Sequence, residues 1–465
     1  MLKVGFGEAD ITPAPGMPMV GMPGSPRGES VLWPLHGRVV LVDDGERRIA
    51  IVSLDVIALF APKVKELRQR LAAIGGLSPE NIMVACSHTH RAPFTSETDD
   101  GGSILAVDER AGSSYFAAIV AGLETAMEEA LHLEPATLEF GQAEAPGWAF
   151  NRRPIYANGQ VGTHGWAWQA DFERMESEPD ESVWTLVARR PDGSVLGGLV
   201  GFACHPTAMG HDPVYSADYP GVLTETLHKR HGGTFSFLLG AAGDTSTPDP
   251  TSRDPESGFG PDHTRAMGTA IADAADQAMR VARQVQGDRV GVATGHVQIA
   301  QRLATEELVA MARWYLEKRP DDLDELAFTR QFYGHDYTFA DGKQLGNERH
   351  ASEMISMWEW QQGPDAELVE TIEVQAMAIG DVALVAFPAE MFTAFGEEVR
   401  AASPFPDTLS VTLANGWHGY VPTVEAFTRG GYEPRFAFPS RLVPEAGEAL
   451  VGAATAQLRE LARDE

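Results

Sequence analysis

The sequence predicts a mixed α/β fold, a mixed β-sheet core with flanking helices. Three observations lead there. Short runs rich in Val, Ile and Ala come in pairs joined by Asp- and Gly-containing turns, as β-hairpins do. Each pair is followed by a stretch of helical period and then by another apolar run. The runs also end on residues that carry chemistry: His88 and His90, His205, Ser246 and Glu390, with one more stopping just short of Tyr420.

Residues 4–7 begin a first strand, and Asp10-Ile11-Thr12-Pro13 opens a loop rich in Gly, Pro and Met down to about residue 34. Runs at 37–42 and 48–55 form a hairpin around Asp43-Asp44-Gly45-Glu46. A helix over 61–74 and a strand over 81–85 follow, delivering Cys86-Ser87-His88-Thr89-His90. Arg91-Ala92-Pro93 then stops regular structure. In an extended chain residues two apart share a side, so His88, His90 and Cys86 can face one cavity.

Residues 98–103 read as an exposed Gly-rich loop, 111–131 as a long helix and 136–142 as a strand. An irregular stretch holding Trp148, Asn151, Arg152, Tyr156 and Trp166 leads into the acidic run 171–181. A second hairpin, 183–187 with 195–203, turns at Pro191-Asp192-Gly193 and runs into Cys204-His205-Pro206-Thr207. A helix over 220–230 and a strand over 235–239 precede a small-residue turn with Asp244 and Ser246, and a helix covers 263–284. Residues 299–363 read as helical, a cap or insertion within one domain spanning 1–465. The third hairpin, 372–379 with 382–387, ends at Glu390, before a helix over 391–401. A strand over 409–413 leads to Asn415-Gly416-Trp417-His418-Gly419-Tyr420, and a helix over 445–463 closes the chain. No internal repeat is visible.

Composition narrows the function. With Lys+Arg 36 against Asp+Glu 66 the net charge is −30, which repels nucleic acid and anionic membrane surfaces. No apolar run reaches the ~20 residues of a membrane span. Two cysteines exclude a disulfide framework, and no export signal opens the chain, so a cytoplasmic protein is expected.

Histidines and a carboxylate drawn from separate strands suit a catalytic zinc site with one position left open. Each residue also has a structural role open to it. His205 can be a turn residue beside Pro206, Glu390 an acid at a helix start, Ser246 a cap, Tyr420 a core aromatic, and Cys86 and Cys204 small buried hydrophobes.

The ordered set of motifs resembles the neutral (alkaline, non-lysosomal) ceramidases, zinc amidases that cleave the N-acyl bond of ceramide. The segments concerned are Val4 to Thr12, Ser87-His88-Thr89-His90, Asn151-Arg152, His205-Pro206-Thr207, Gly243-Asp244-Thr245-Ser246, and Gly419-Tyr420-Val421-Pro422-Thr423 with Tyr432-Glu433. The resemblance implies the fold of that family's catalytic domain, without its C-terminal immunoglobulin-like domain. It implies zinc held by His88, His205, Glu390 and Tyr420. Ser246 becomes the nucleophile, or a hydroxyl beside the metal, oriented by Asp244. His90, Arg152 and Tyr432 line the substrate pocket. Arg91-Ala92-Pro93 stands where the family has Ser-Gly-Pro, and its added cation favours an acidic or polar substrate over ceramide.

The expected function is zinc-dependent hydrolysis of the amide bond of a ceramide-like or smaller soluble N-acyl compound, by attack of zinc-bound Ser or water. The expected partner is that substrate, with no nucleic acid and no stable membrane insertion; a homo-oligomer is left open. Two alternatives stand beside it. One is a zinc esterase or related hydrolase on another polar substrate. The other is a non-catalytic binding protein whose Trp148, Trp166, Trp358 and Trp360 stack on a ligand.

Overall fold

The computed structural model describes residues 2–21, 26–95, 109–254, 256–318, 347–364 and 366–463. Its centre is a β motif used three times. In the first unit, Lys3–Asp10, His36–Asp43 and Arg48–Leu54 run antiparallel, and Ile82–Cys86 returns parallel to the third strand. In the second, Thr137–Glu144, Ser182–Arg189 and Val195–Phe202 do the same, with Thr234–Leu239 as the parallel fourth. In the third, Val290–Ala300, Val369–Ile379 and Val382–Phe387 are followed by Asp407–Thr412.

A helix joins the third strand to the fourth in every unit: Ala61–Gly75, Asp218–His231 and Thr393–Ala402. A second helix follows each fourth strand: Glu109–Ala130, Pro261–Val281 and Ala446–Leu461. The chain therefore holds an internal repeat, contrary to the sequence expectation. What recurs is the order of elements and the pattern of burial. Turn chemistry matches at the first two hairpins, where Asp43 Oδ1 accepts from Gly45 N–H at 2.7 Å and Asp192 Oδ1 from Ser194 N–H at 2.9 Å.

Each sheet has one face on its own helices and one on a core shared by all three. Val40, Ile51 and Met83 of the first unit meet Phe140, Leu186 and Leu238 of the second and Met377, Leu384 and Val411 of the third. Sheets covered on both faces need apolar residues at nearly every position. This explains the uninterrupted burial of Ile82–Cys86, Val195–Phe202 and Val382–Phe387. The three fourth strands lie against one another, and Asn415 ties two of them, its Oδ1 accepting from Val84 N–H at 2.9 Å.

The alternation of strand directions has one consequence for the site. The C-terminal ends of the third and fourth strands share an edge with the connection between the first and second. That connection is long in each unit, covering 11–35, 145–181 and 301–368.

Most expected elements are present within a few residues. The strand Val290–Ala300 was missed because its polar members (Thr294, His296, Gln298) mask the apolar alternation. The helical region is narrower than expected: Glu306–Lys318 and Asn347–Gln361 pack on each other through Val309, Ala312, Ala351 and Met354, and 319–346 lie outside the described residues. The loop expected at 98–103 also lies outside them. No described helix is long and apolar enough to cross a membrane.

Candidate metal centre and its surroundings

Every residue of the expected site leaves a third or fourth strand on that common edge or lies in a connection beside it. His88 and His90 follow Ile82–Cys86, His205 follows Val195–Phe202, and Glu390 follows Val382–Phe387. The two first-unit histidines converge, Nε2 to Nε2, at 3.3 Å. Strand alternation is not the cause: the strand ends at Cys86, and His88 adopts φ +68° in a turn. Cys86 points into the first unit's core instead.

The imidazoles of His88, His90 and His205 form one cluster whose ligand atoms all lie within 4.8 Å of one another. Each Nδ1 sits against a backbone carbonyl: Ile57 O at 2.7 Å for His88, Gly21 O at 3.0 Å for His90 and Ala242 O at 2.7 Å for His205. That contact places the ring proton on Nδ1 and turns the Nε2 lone pair inward. Glu390 Oε2 lies 3.4 Å from His88 Nε2 and 3.2 Å from His205 Nε2. Acceptor therefore faces acceptor in a fully buried space, an arrangement that calls for a cation between them.

The electrostatics agree with an ionised carboxylate at the centre. Burial, then Arg152, pushes the His205 imidazole down to about 4. Burial opposes ionisation of Glu390, but His88 and His205 outweigh it and hold the carboxyl well below its usual range. The other carboxylate oxygen, Oε1, accepts from Trp417 Nε1–H at 3.0 Å, which leaves Oε2 for the centre.

Glu390 does not begin the following helix, which starts at Thr393 with Phe392 as its cap. Glu390–Met391 instead pair, parallel, with Tyr420–Val421. Tyr420 is thereby set beside the cluster, its hydroxyl 3.5 Å from His205 Nε2 and its ring stacked on His205 at 11°.

A second two-residue pairing builds the other wall. Thr245–Ser246 lie antiparallel to Phe150–Asn151, and Arg152 N–H donates to Asp244 O at 2.9 Å. Ser246 is buried on the loop that passes Glu390, where Gly243 N–H donates to Met391 O at 2.8 Å. Arg152 is clamped by Glu433 Oε1 at 2.7 Å and Gly243 O at 2.9 Å, and its guanidinium carbon stands 5.5 Å from the Tyr420 ring centre. Burial works against that charge, but Tyr420 and Glu433 raise the guanidinium pKa further than burial lowers it. Tyr432 packs edge-on to Tyr420 at 5.6 Å.

No hydrogen bond joins the Asp244 carboxylate to the Ser246 side chain. That carboxylate accepts from the Thr393 amide and hydroxyl, both at 2.8 Å, and from Asn151 Nδ2 and Ser177 Oγ, both at 3.0 Å. It fixes the serine loop through the backbone and anchors the start of a helix.

Sequence reasoning missed several partners. Glu433 Oε2 also holds Arg153, at 2.5 Å. His418 lies against Glu370, which also binds Arg441. His164 lies in the 145–181 connection, its N–H donating to Arg152 O at 2.8 Å, and Gly162-Thr163-His164-Gly165 carries only a turn signal. The two thiols are buried and free, each packed in an apolar core, and burial pushes the Cys86 thiol up to about 12.

No family model matches the sequence. Two solved structures share the fold. The chain is 21% identical to a neutral ceramidase from Pseudomonas aeruginosa, with a TM-score of 0.70 over 99% of this chain and 75% of that one. It is 19% identical to a ceramidase complexed with C2, with a TM-score of 0.73 over 100% of this chain and 75% of that one. The mixed α/β architecture of this protein is that of the neutral ceramidase catalytic domain.

Proposed function

We propose that the protein is a zinc-dependent amide hydrolase acting on a small N-acyl compound. The observation that carries this reading is the convergence of His88, His205 and the Glu390 carboxylate, each acceptor turned inward, with Tyr420 alongside. A zinc ion held by these four residues supplies Lewis acidity to polarise a scissile carbonyl.

The chain's own groups do the rest. Ser246, or a water in its place, is the attacking hydroxyl, and it lies on the loop between Glu390 and Arg152. Arg152, kept charged by Glu433, and Tyr432 donate hydrogen bonds to the carbonyl oxygen as charge develops on it. His90 lines the pocket beside His88. Asp244 holds the serine loop in place without hydrogen-bonding the nucleophile.

This reading treats the chain as one catalytic domain, with the helices Glu306–Lys318 and Asn347–Gln361 part of an insertion between the first and second strands of the third unit. The charge of −30 disfavours anionic lipid surfaces, so the substrate is taken from solution. Two free buried thiols suit the cytoplasm.

The test is zinc content by plasma mass spectrometry, with release of amine from a short N-acyl amide, for wild type and Glu390→Ala. About one zinc per wild-type chain is expected, with both zinc and turnover lost in the variant. Full turnover by zinc-free protein would overturn the proposal.

A further inference from the structure

His90 is placed as a metal ligand is, although the reading above puts it in the pocket wall. Its Nε2 lies 3.3 Å from Nε2 of His88, and the two rings stand edge-on, with centres 4.9 Å apart at 86°. The Nδ1 atoms of both face backbone carbonyls, Ile57 O at 2.7 Å for His88 and Gly21 O at 3.0 Å for His90. Each Nδ1 therefore carries its ring proton, and the two Nε2 acceptors face each other with no proton between them. Two buried acceptors at that distance call for a cation.

The separations fit one small ion. Two donors about 2.0–2.1 Å from a tetrahedral zinc stand about 3.3 Å from each other. Three donor pairs here have that spacing: His90 with His88 at 3.3 Å, His88 with Glu390 at 3.4 Å and Glu390 with His205 at 3.2 Å. The third ring, His205, has its centre 4.8 Å from that of His88 and 6.0 Å from that of His90. The Tyr420 hydroxyl, 3.5 Å from His205 Nε2, is no nearer to its neighbour than His90 is.

The turn that presents His90 is fixed from behind. Thr89 Oγ1 donates to Ser216 O at 2.6 Å and accepts from Arg91 N–H at 3.2 Å, and Val20 N–H donates to Ala92 O at 3.2 Å. Gly21 brings its carbonyl to the ring because it has no side chain. A Cβ there would stand 2.5 Å from His90 Nδ1, and the φ of Gly21 is +90°. A carbonyl behind Nδ1 is the backing that orients imidazole ligands.

We propose that His90 is itself a ligand of the ion at this centre, so that three imidazoles and the Glu390 carboxylate surround it beside Tyr420. The ion is taken from the zinc reading above. The place of His90 in its coordination comes from the distances.

X-ray absorption of the zinc-loaded protein counts the imidazoles, and chelator competition gives the zinc Kd, for wild type and His90→Ala. Three imidazoles are expected in wild type and two in the variant. The variant's Kd should rise by about 100-fold or more, beyond what losing a partner behind a ligand costs. Two imidazoles in wild type, or a variant Kd within about twofold of it, would overturn the assignment and leave the zinc centre standing. The wild-type count decides the matter even if the variant fails to fold. Wild type that takes up no zinc would overturn both. Zinc bound by three imidazoles without amide turnover would keep His90 as a ligand and remove the amidase reading.

Discussion

Glu390 and Tyr420 are partners in a two-residue parallel bridge, with Glu390 N–H donating to Gly419 O at 2.8 Å. Paired residues of a sheet present their side chains to the same face. This pairing aligns a carboxylate from just after the third strand of a unit with a phenol from the loop after its fourth. The site's precision rests on such short pairings and on the residues behind them, and each can be tested.

Trp417 holds the outer oxygen of Glu390. Trp417→Phe keeps the ring and removes the donor, so zinc affinity should fall about 10–100-fold. Chelator competition measures this, and a zinc affinity equal to wild type would show the bond to be dispensable.

Gly243 is required for space, since a Cβ there would stand 2.5 Å from Glu390 O and 3.0 Å from the Glu390 carbonyl carbon. Backbone cannot yield as a flexible side chain does. Gly243→Ala should cost about 1–3 kcal/mol by urea unfolding, and should weaken zinc binding by displacing Glu390.

Glu433 neutralises two buried guanidinium groups. Glu433→Gln leaves Arg152 and Arg153 without their shared carboxylate and should destabilise the fold by about 3–5 kcal/mol. Denaturant midpoints at unchanged m-value check this. A loss below about 1 kcal/mol would mean that Glu176, which also pairs with Arg153, suffices.

Glu370 sets an acid limb of stability. Burial opposes its charge, but His418 and Arg441 bring its pKa down from 4.5 to about 2. The unfolded chain therefore takes up this proton first as pH falls. The stabilisation is full above about pH 4.5 and disappears as pH falls through about 2. Unfolding free energies at successive pH values should fall across this window in wild type, with a shallower slope in Glu370→Gln. Equal slopes would remove Glu370 from the account.

The local elements were legible because their signals are local. Apolar runs, Asp-Gly turns and helical periods identified the three hairpins and the helices that follow them. The resemblance of motifs supplied His88, His90, His205, Glu390 and Tyr420, which the fold does bring together. Side-chain partners across the chain were not legible. Nothing near Asp244 in sequence says that its carboxylate goes to Thr393, Asn151 and Ser177 and leaves Ser246 alone.

By itself, the sequence determined an acidic α/β chain whose strands end on metal-capable residues. Burial and turn chemistry depend on residues near one another, and a single chain displays them directly. Only the tertiary structure decided that the chain is one motif used three times, because the repeat lies in topology and survives no visible identity of residues. It also decided where His88 points, since that residue depends on a backbone conformation held by the distant carbonyls of Val56 and Ile57. The site forms where the edges of three sheets meet, and that meeting is set by packing around a shared core.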